Sequence, residues 1–140
     1  AEEVLERMRA AGLIPIITHP ERNGVLQHHI EQLESWVGSG CCLQVTAQSM
    51  LGGFGRKAKA FTAELMKRGL VQFVASDGHD QEQRPPRLDK ACHLVREQFG
   101  EAAAERLFTT NPSAVLAGEF LPEEEMEAVP PRRRWWPFSR

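Results

Sequence analysis

The chain has 140 residues, 41% hydrophobic and 26% charged, a size and balance that fit one soluble globular domain with a single core. Its 17 basic and 19 acidic residues leave a formal charge of −2 spread along the chain, which supplies no field suited to capturing nucleic acid. Apolar runs such as Leu13–Ile17 and Leu70–Ala75 fall far short of the roughly 20 residues that cross a bilayer, so no transmembrane helix is expected.

The chain begins Ala1-Glu2-Glu3-Val4-Leu5, without an initiator methionine, which suggests truncation. This acidic, amphipathic start has neither the basic beginning nor the apolar stretch of a secretory signal. Val4, Leu5, Met8 and Leu13 follow a helical period up to Gly12, and Leu13-Ile14-Pro15-Ile16-Ile17 then predicts a buried strand. Ile30, Leu33, Trp36 and Val37 predict a second helix ending at Gly38 and Gly40, and Cys41–Thr46 predicts a second strand. Phe54, Ala58, Phe61 and Leu65 share one face of a third helix, stopped at Gly69, and Val71–Ala75 predicts the third strand. Continuous apolar strands alternating with helices indicate an α/β fold with a helix-covered parallel sheet.

Leu88, Ala91, Cys92, Val95 and Phe99 predict a further amphipathic helix, followed by a short one through Leu107 and another opened by Asn111 as N-cap, with Pro112 in its first turn. The expected division is a globular part over residues 1–120 and a flexible tail over 121–140, first acidic, then basic and aromatic. Arg132-Arg133-Arg134-Trp135-Trp136-Pro137-Phe138 has the composition to touch an anionic membrane surface, although a solvated end is the simpler reading. Cys41, Cys42 and Cys92 cannot all pair within the chain; Cys41 and Cys42 read as buried core thiols in a reducing cytoplasm.

The polar residues suited to chemistry follow the strands: Thr18-His19-Pro20-Glu21-Arg22-Asn23, Thr46-Ala47-Gln48-Ser49 and Ser76-Asp77-Gly78-His79. In parallel α/β folds the loops at the C-terminal strand ends share one face, so His19, Asp77 and His79 are placed to converge. Imidazole and carboxylate donors on rigid strand ends suit zinc, manganese or iron. Arg22 and Arg84 are the candidates for holding a phosphate, because a guanidinium offers a planar fork of donors and stays charged. Ser49–Gly55 presents either backbone amides for an anion or a plain loop before a helix. His28, His29 and His93 fall on predicted helices and read as structural or solvent-facing.

Pro-Ile-Ile-Thr-His-Pro-Glu-Arg-Asn (15–23), Leu-Gln-Val-Thr-Ala-Gln-Ser-Met-Leu-Gly-Gly-Phe-Gly (43–55), Val-Ala-Ser-Asp-Gly-His (74–79) and Asn-Pro (111–112) together resemble the polymerase-and-histidinol-phosphatase (PHP) superfamily. Within it, the ordered HPER, Q-x-T-x-x-S-x-x-G-x-x-G and SD-x-H motifs resemble the manganese-dependent tyrosine phosphatases of capsular and exopolysaccharide clusters. The resemblance implies a distorted (β/α)7 barrel, with His19, Asp77 and His79 as metal ligands. It also implies Mn2+, or another divalent metal, presenting a hydroxide to phosphotyrosine, with Arg22 and Arg84 as the catalytic arginines. The implied partner is a phosphotyrosine-bearing protein such as a bacterial tyrosine autokinase.

No cysteinyl phosphate is implied, and no cysteine here begins a C-x5-R loop. The H-x-H strand and further ligands that open the family's pattern have no counterpart in this chain. The expectation is therefore a partial barrel with an open sheet edge and part of its core uncovered. Two other readings stand beside the phosphotyrosine hydrolase: a small-molecule phosphatase, for example for histidinol phosphate, and a noncatalytic interaction module with an incomplete metal site. An oligomer contact is one way such a half-site would be completed.

Overall fold

The computed structural model describes residues 1–123; the stretch 130–140, and with it the question of membrane contact, lies outside the described residues. Helix α1 (Glu2–Ala10) leads to β1 (Ile16–Thr18), α2 (Ile30–Gly38) to β2 (Cys42–Thr46), and α3 (Ala47–Leu51) and α4 (Gly55–Lys67) to β3 (Phe73–Ala75). Helix α5 (Asp89–Phe99) and the closing run α6 (Glu101–Glu105), a π-helical turn (Arg106–Thr110) and α7 (Asn111–Ala117) follow. The described strands form one parallel sheet in the order β1-β2-β3, with Ile16 opposite Cys42 and Gln44 opposite Phe73. This is the expected α/β arrangement of parallel strands returned by helical crossovers.

Strand alternation explains how the sheet divides its side chains. Leu43 and Val45 point with Val74 into the core, where Leu33 and Trp36 of α2, Leu65 of α4, Val95 of α5 and Leu107 complete it. The opposite face carries Ile16, Cys42, Gln44 and Phe73 and opens into apolar grooves bordered by Leu13, Ile14, Val115, Leu116 and Phe120. Leu116 and Phe120 are 90% and 82% exposed, so part of the apolar surface is uncovered, as the short strand count implies. The predicted first strand is corrected by the same fact: β1 begins only at Ile16 and is largely exposed, because it is an edge strand with one open face. Burial pushes the Cys41 thiol up, against the opposing field of Arg9, and burial with the neighbouring Cys41 does the same to Cys42. This fits their reading as buried thiols, Cys41 in the core and Cys42 on the face that borders the apolar groove.

The C-terminal helices differ from expectation in an instructive way. Asn111 is not an N-cap: its backbone is already helical, and the chain enters it from the π-helical turn without a break. Its buried side chain donates from Nδ2 to the Gln72 carbonyl at 2.9 Å, fastening α7 to the residue before β3. Pro112 lacks an N–H and crowds the preceding turn, and the wider turn lies immediately before it, where that crowding is relieved.

Candidate functional site

Three loops at the C-terminal ends of the strands meet on one side of the sheet. The loop after β1 turns at once into a 3-10 turn, Pro20–Arg22, started by His19 in the left-handed backbone region at φ 39°. The loop after β3 places Asp77 in the same region at φ 50°. Among the described residues, these are the only non-glycine residues with positive φ. Such strain costs of order 1–3 kcal/mol per residue and persists where surrounding structure imposes it, commonly at functional sites.

Asp77 is the hub of the site. Its Oδ2 accepts a 2.6 Å hydrogen bond from Arg22 Nη1 and a second, short one from Arg84 Nη2. Burial disfavours the Asp77 anion, but the Arg22 hydrogen bond and the fields of Arg84, His79 and Arg22 outweigh it and hold the carboxyl below the usual carboxylate range. His79 Nδ1 lies 2.6 Å from the Asp77 carbonyl oxygen. A proton donated there would leave the Nε2 lone pair available, the arrangement used by metal-binding histidines.

Glu21 enters the sequence pattern only as part of HPER, and the structure gives it a central role. It is fully buried: Oε1 accepts the Thr46 backbone N–H at 2.9 Å and the Ser49 hydroxyl at 2.7 Å. Thr46 and Ser49 belong to the second motif, so the glutamate bolts the loop carrying His19 and Arg22 to the end of β2. It also supplies, from outside, an acceptor at the N-terminus of α3, where Thr46 makes no side-chain cap. Oε2 is buried with no partner among the described residues. No sequence signal marks this role: the Thr46 donor is a backbone N–H that any residue there except proline would supply, and it lies 25 residues from Glu21.

Two more motif residues acquire reasons. A Cβ on Gly78 would lie 3.1 Å from Pro86 Cα and Cβ and 3.2 Å from its nitrogen, so the glycine lets the Arg84–Pro86 segment fold back against the SD-x-H turn. Asp80 Oδ1 accepts the N–H groups of Glu82, Gln83 and Arg84, and the Arg84 carbonyl accepts that of His79. Arg84 is thereby returned to the Asp77 carboxylate. The Ser49–Gly55 run does not form an amide cradle at its glycines: Gly52, Gly53 and Gly55 donate to Ser49, Gln48 and Gly52 carbonyls respectively.

The donor types of His19, Asp77 and His79 suit a borderline divalent metal, yet they fit in kind and not in number. Among the described residues, no three His, Cys, Asp or Glu side chains are gathered to hold a metal ion. Asp77 and His79 are neighbours, His19 stands exposed beyond β1, and the Asp77 carboxylate is already held by the arginines. His28, His29 and His93 lie exposed and apart from the site, and His93 pairs with Glu97 on α5.

Residues 1–117 match the family described as "Capsular polysaccharide synthesis, CpsB/CapC". The chain belongs to the CpsB/CapC family. It is 31% identical over 133 residues to tyrosine-protein phosphatase YwqE of Bacillus subtilis, covering 95% of this chain and 52% of that protein. It is 30% identical over 122 residues to tyrosine-protein phosphatase CpsB of Streptococcus agalactiae, covering 84% of this chain and 50% of that protein.

Among solved structures it resembles a chain from the crystal structures of YwqE from Bacillus subtilis and CpsB from Streptococcus pneumoniae, described as unique metal-dependent tyrosine phosphatases. The TM-score is 0.82 and the identity 31%, over 88% of this chain and 49% of that one. The chain thus spans about half the length of the CpsB/CapC relatives it matches. Among the described residues, no helix is long and apolar enough to cross a membrane.

Proposed function

We propose that this chain carries the phosphate-holding part, and a share of the metal-holding part, of a phosphotyrosine hydrolase. The observation that carries the reading is the convergence of Arg22 and Arg84, from the loops after β1 and β3, on the Asp77 carboxylate. Two guanidiniums fixed beside one another form a site for a phosphoryl dianion, which competes with Asp77 for their N–H groups and spreads its charge onto them during transfer. His19, Asp77 and His79 are this chain's share of the ligands, and the remaining donors belong to the half of the relatives that the chain does not span. A divalent metal, manganese by family resemblance, would supply charge neutralisation and a water activated at neutral pH.

The three parallel strands then correspond to successive strands of a distorted (β/α)7 barrel. The open apolar face of the sheet supports that assignment, since barrel strands bury both faces. The substrate would be a phosphotyrosine-bearing protein such as a tyrosine autokinase of capsule synthesis, met in the cytoplasm. The relatives named as tyrosine-protein phosphatases support this choice over histidinol phosphate.

The test is hydrolysis of a phosphotyrosyl peptide by this chain with added manganese, read beside bound metal by elemental analysis. The expected result is metal-dependent turnover that His19→Ala and Asp77→Ala each abolish. Manganese retained at Asp77 and His79 with no turnover would instead favour the noncatalytic reading.

A further inference from the structure

Phe54 belongs to the Gly-Gly-Phe-Gly run that opens α4, and helical periodicity assigns it to the core face with Ala58, Phe61 and Leu65. It does not pack there. The ring is half-buried beside the strand-end loops, with the Arg22 guanidinium 4.2 Å and the Arg84 guanidinium 5.6 Å from its centroid. We propose that Phe54 is the positioning residue for both phosphate-holding arginines, a platform that orients their planes while leaving their N–H edges open to a phosphoryl group.

The glycines explain why the ring can stand there. Gly52 and Gly55 adopt left-handed backbone at φ 92° and 90°, which turns the chain sharply on either side of Phe54. Gly53 donates to the Gln48 carbonyl at 2.8 Å, and a Cβ on it would lie 3.3 Å from that oxygen. The loop is thus folded tightly against α3, whose N-terminus is bolted to the Arg22 loop through Glu21. Arg22 and Phe54 therefore sit on one connected scaffold, and Arg84 reaches the same ring from the loop after β3.

The chemistry favours a ring over another polar partner. An aromatic face attracts a guanidinium through its quadrupole and contacts the flat face of the cation, so it uses none of the in-plane donors. A carboxylate holds the cation by consuming those donors, as Asp77 does with Arg22 Nη1 and Arg84 Nη2. When a phosphoryl group takes those N–H groups from Asp77, the ring still holds the guanidinium planes in place.

The phosphate-presenting part of this proposal rests on the phosphotyrosine reading; the placement of the arginines by Phe54 does not, and the experiment separates the two. Side-chain 1H–15N resonances of Arg22 and Arg84 are recorded for the whole chain and for Phe54→Leu, Phe54→Tyr and Phe54→Trp. Ring-current displacement is expected for both arginines, larger at Arg22, lost in Phe54→Leu, kept in Phe54→Tyr and increased in Phe54→Trp. Arginine resonances indifferent to the ring would overturn the platform, and Phe54→Trp supplies the same test if Phe54→Leu does not fold.

Phosphotyrosine is then titrated into each variant. Affinity is expected to fall about threefold to tenfold in Phe54→Leu and to return in Phe54→Tyr. Unchanged affinity in a folded Phe54→Leu overturns the presenting role. Ring-shifted arginines in a wild-type chain that binds no phosphotyrosine would uphold the placement and sink the phosphotyrosine reading.

Discussion

Glu21 and Asp77 are both carboxyl groups on loops that follow strands, and they are held in opposite ways. Glu21 is fully buried and accepts only uncharged donors, the Thr46 N–H and the Ser49 hydroxyl. Asp77 is partly exposed and is gripped by two guanidiniums. The first arrangement is costly to disturb because its partners have no water to turn to; the second is replaceable, because both arginines can exchange one anion for another. The contrast separates a carboxyl that holds the loops together from one whose arginine partners the proposed function assigns to a phosphoryl group.

Removing Glu21 should have the largest effect on stability. Glu21→Ala strands two buried donors and opens a cavity, and about 3 kcal/mol or more should be lost in urea unfolding. Glu21→Gln keeps an acceptor oxygen for both and should cost clearly less. A Glu21→Ala chain as stable as the parent would break the comparison.

Gly78→Ala should come next, at about 1–3 kcal/mol, since its methyl meets proline backbone that cannot retreat. It should also displace Arg84 from Asp77, visible as a changed Arg84 side-chain resonance. Asp77→Asn should change stability by only about 1 kcal/mol, as is usual for a part-exposed ion pair, and on the proposed function it should remove any manganese-dependent turnover. A large stability loss there would erase the distinction from Glu21.

The smallest effect concerns pH. Hydrogen bonds from the Arg84, Gln83 and Glu82 amides hold the Asp80 carboxyl below its ordinary range, outweighing burial. Its folded value lies below its unfolded one, so its contribution is present above the ordinary carboxylate value of about 3.9 and is lost as pH falls through the folded value. Amide shifts of residues 82–84 should therefore stay constant from neutral pH down to about 4 and move only below it.

Much of the fold was legible because periodicity reports burial. Leu33 and Trp36, Ala58 and Leu65, and Ala91 and Val95 are buried where the helical spacing places them. The strands at Cys42–Thr46 and Phe73–Ala75 stand out as short stretches rich in apolar residues between helices. Other features depend on tertiary partners that periodicity does not encode. Ile16 looked buried but lines an open face; Asn111 looked like a cap but reaches Gln72; Phe54 looked like core but lies beneath two arginines.

Residue types singled out Arg22, Asp77, His79 and Arg84, which the structure brings together, but not the pairing of both arginines with the Asp77 carboxylate that joins them. The role of Glu21 was not legible either, because it depends on contact with Thr46 and Ser49, 25 and 28 residues away. The gathering of His19 with Asp77 and His79 into a three-donor group is not found among the described residues.

The most direct measurement is manganese-dependent hydrolysis of a phosphotyrosyl peptide by the parent chain, Arg22→Lys, Arg84→Lys and the double variant, with histidinol phosphate as the competing substrate. If the two arginines form one phosphoryl site, the peptide is the preferred substrate. Either single change then costs about a hundredfold in kcat, as loss of one transition-state donor does, and the double change costs less than the product of the two. Turnover indifferent to both substitutions, or faster on histidinol phosphate than on the peptide, would contradict the account.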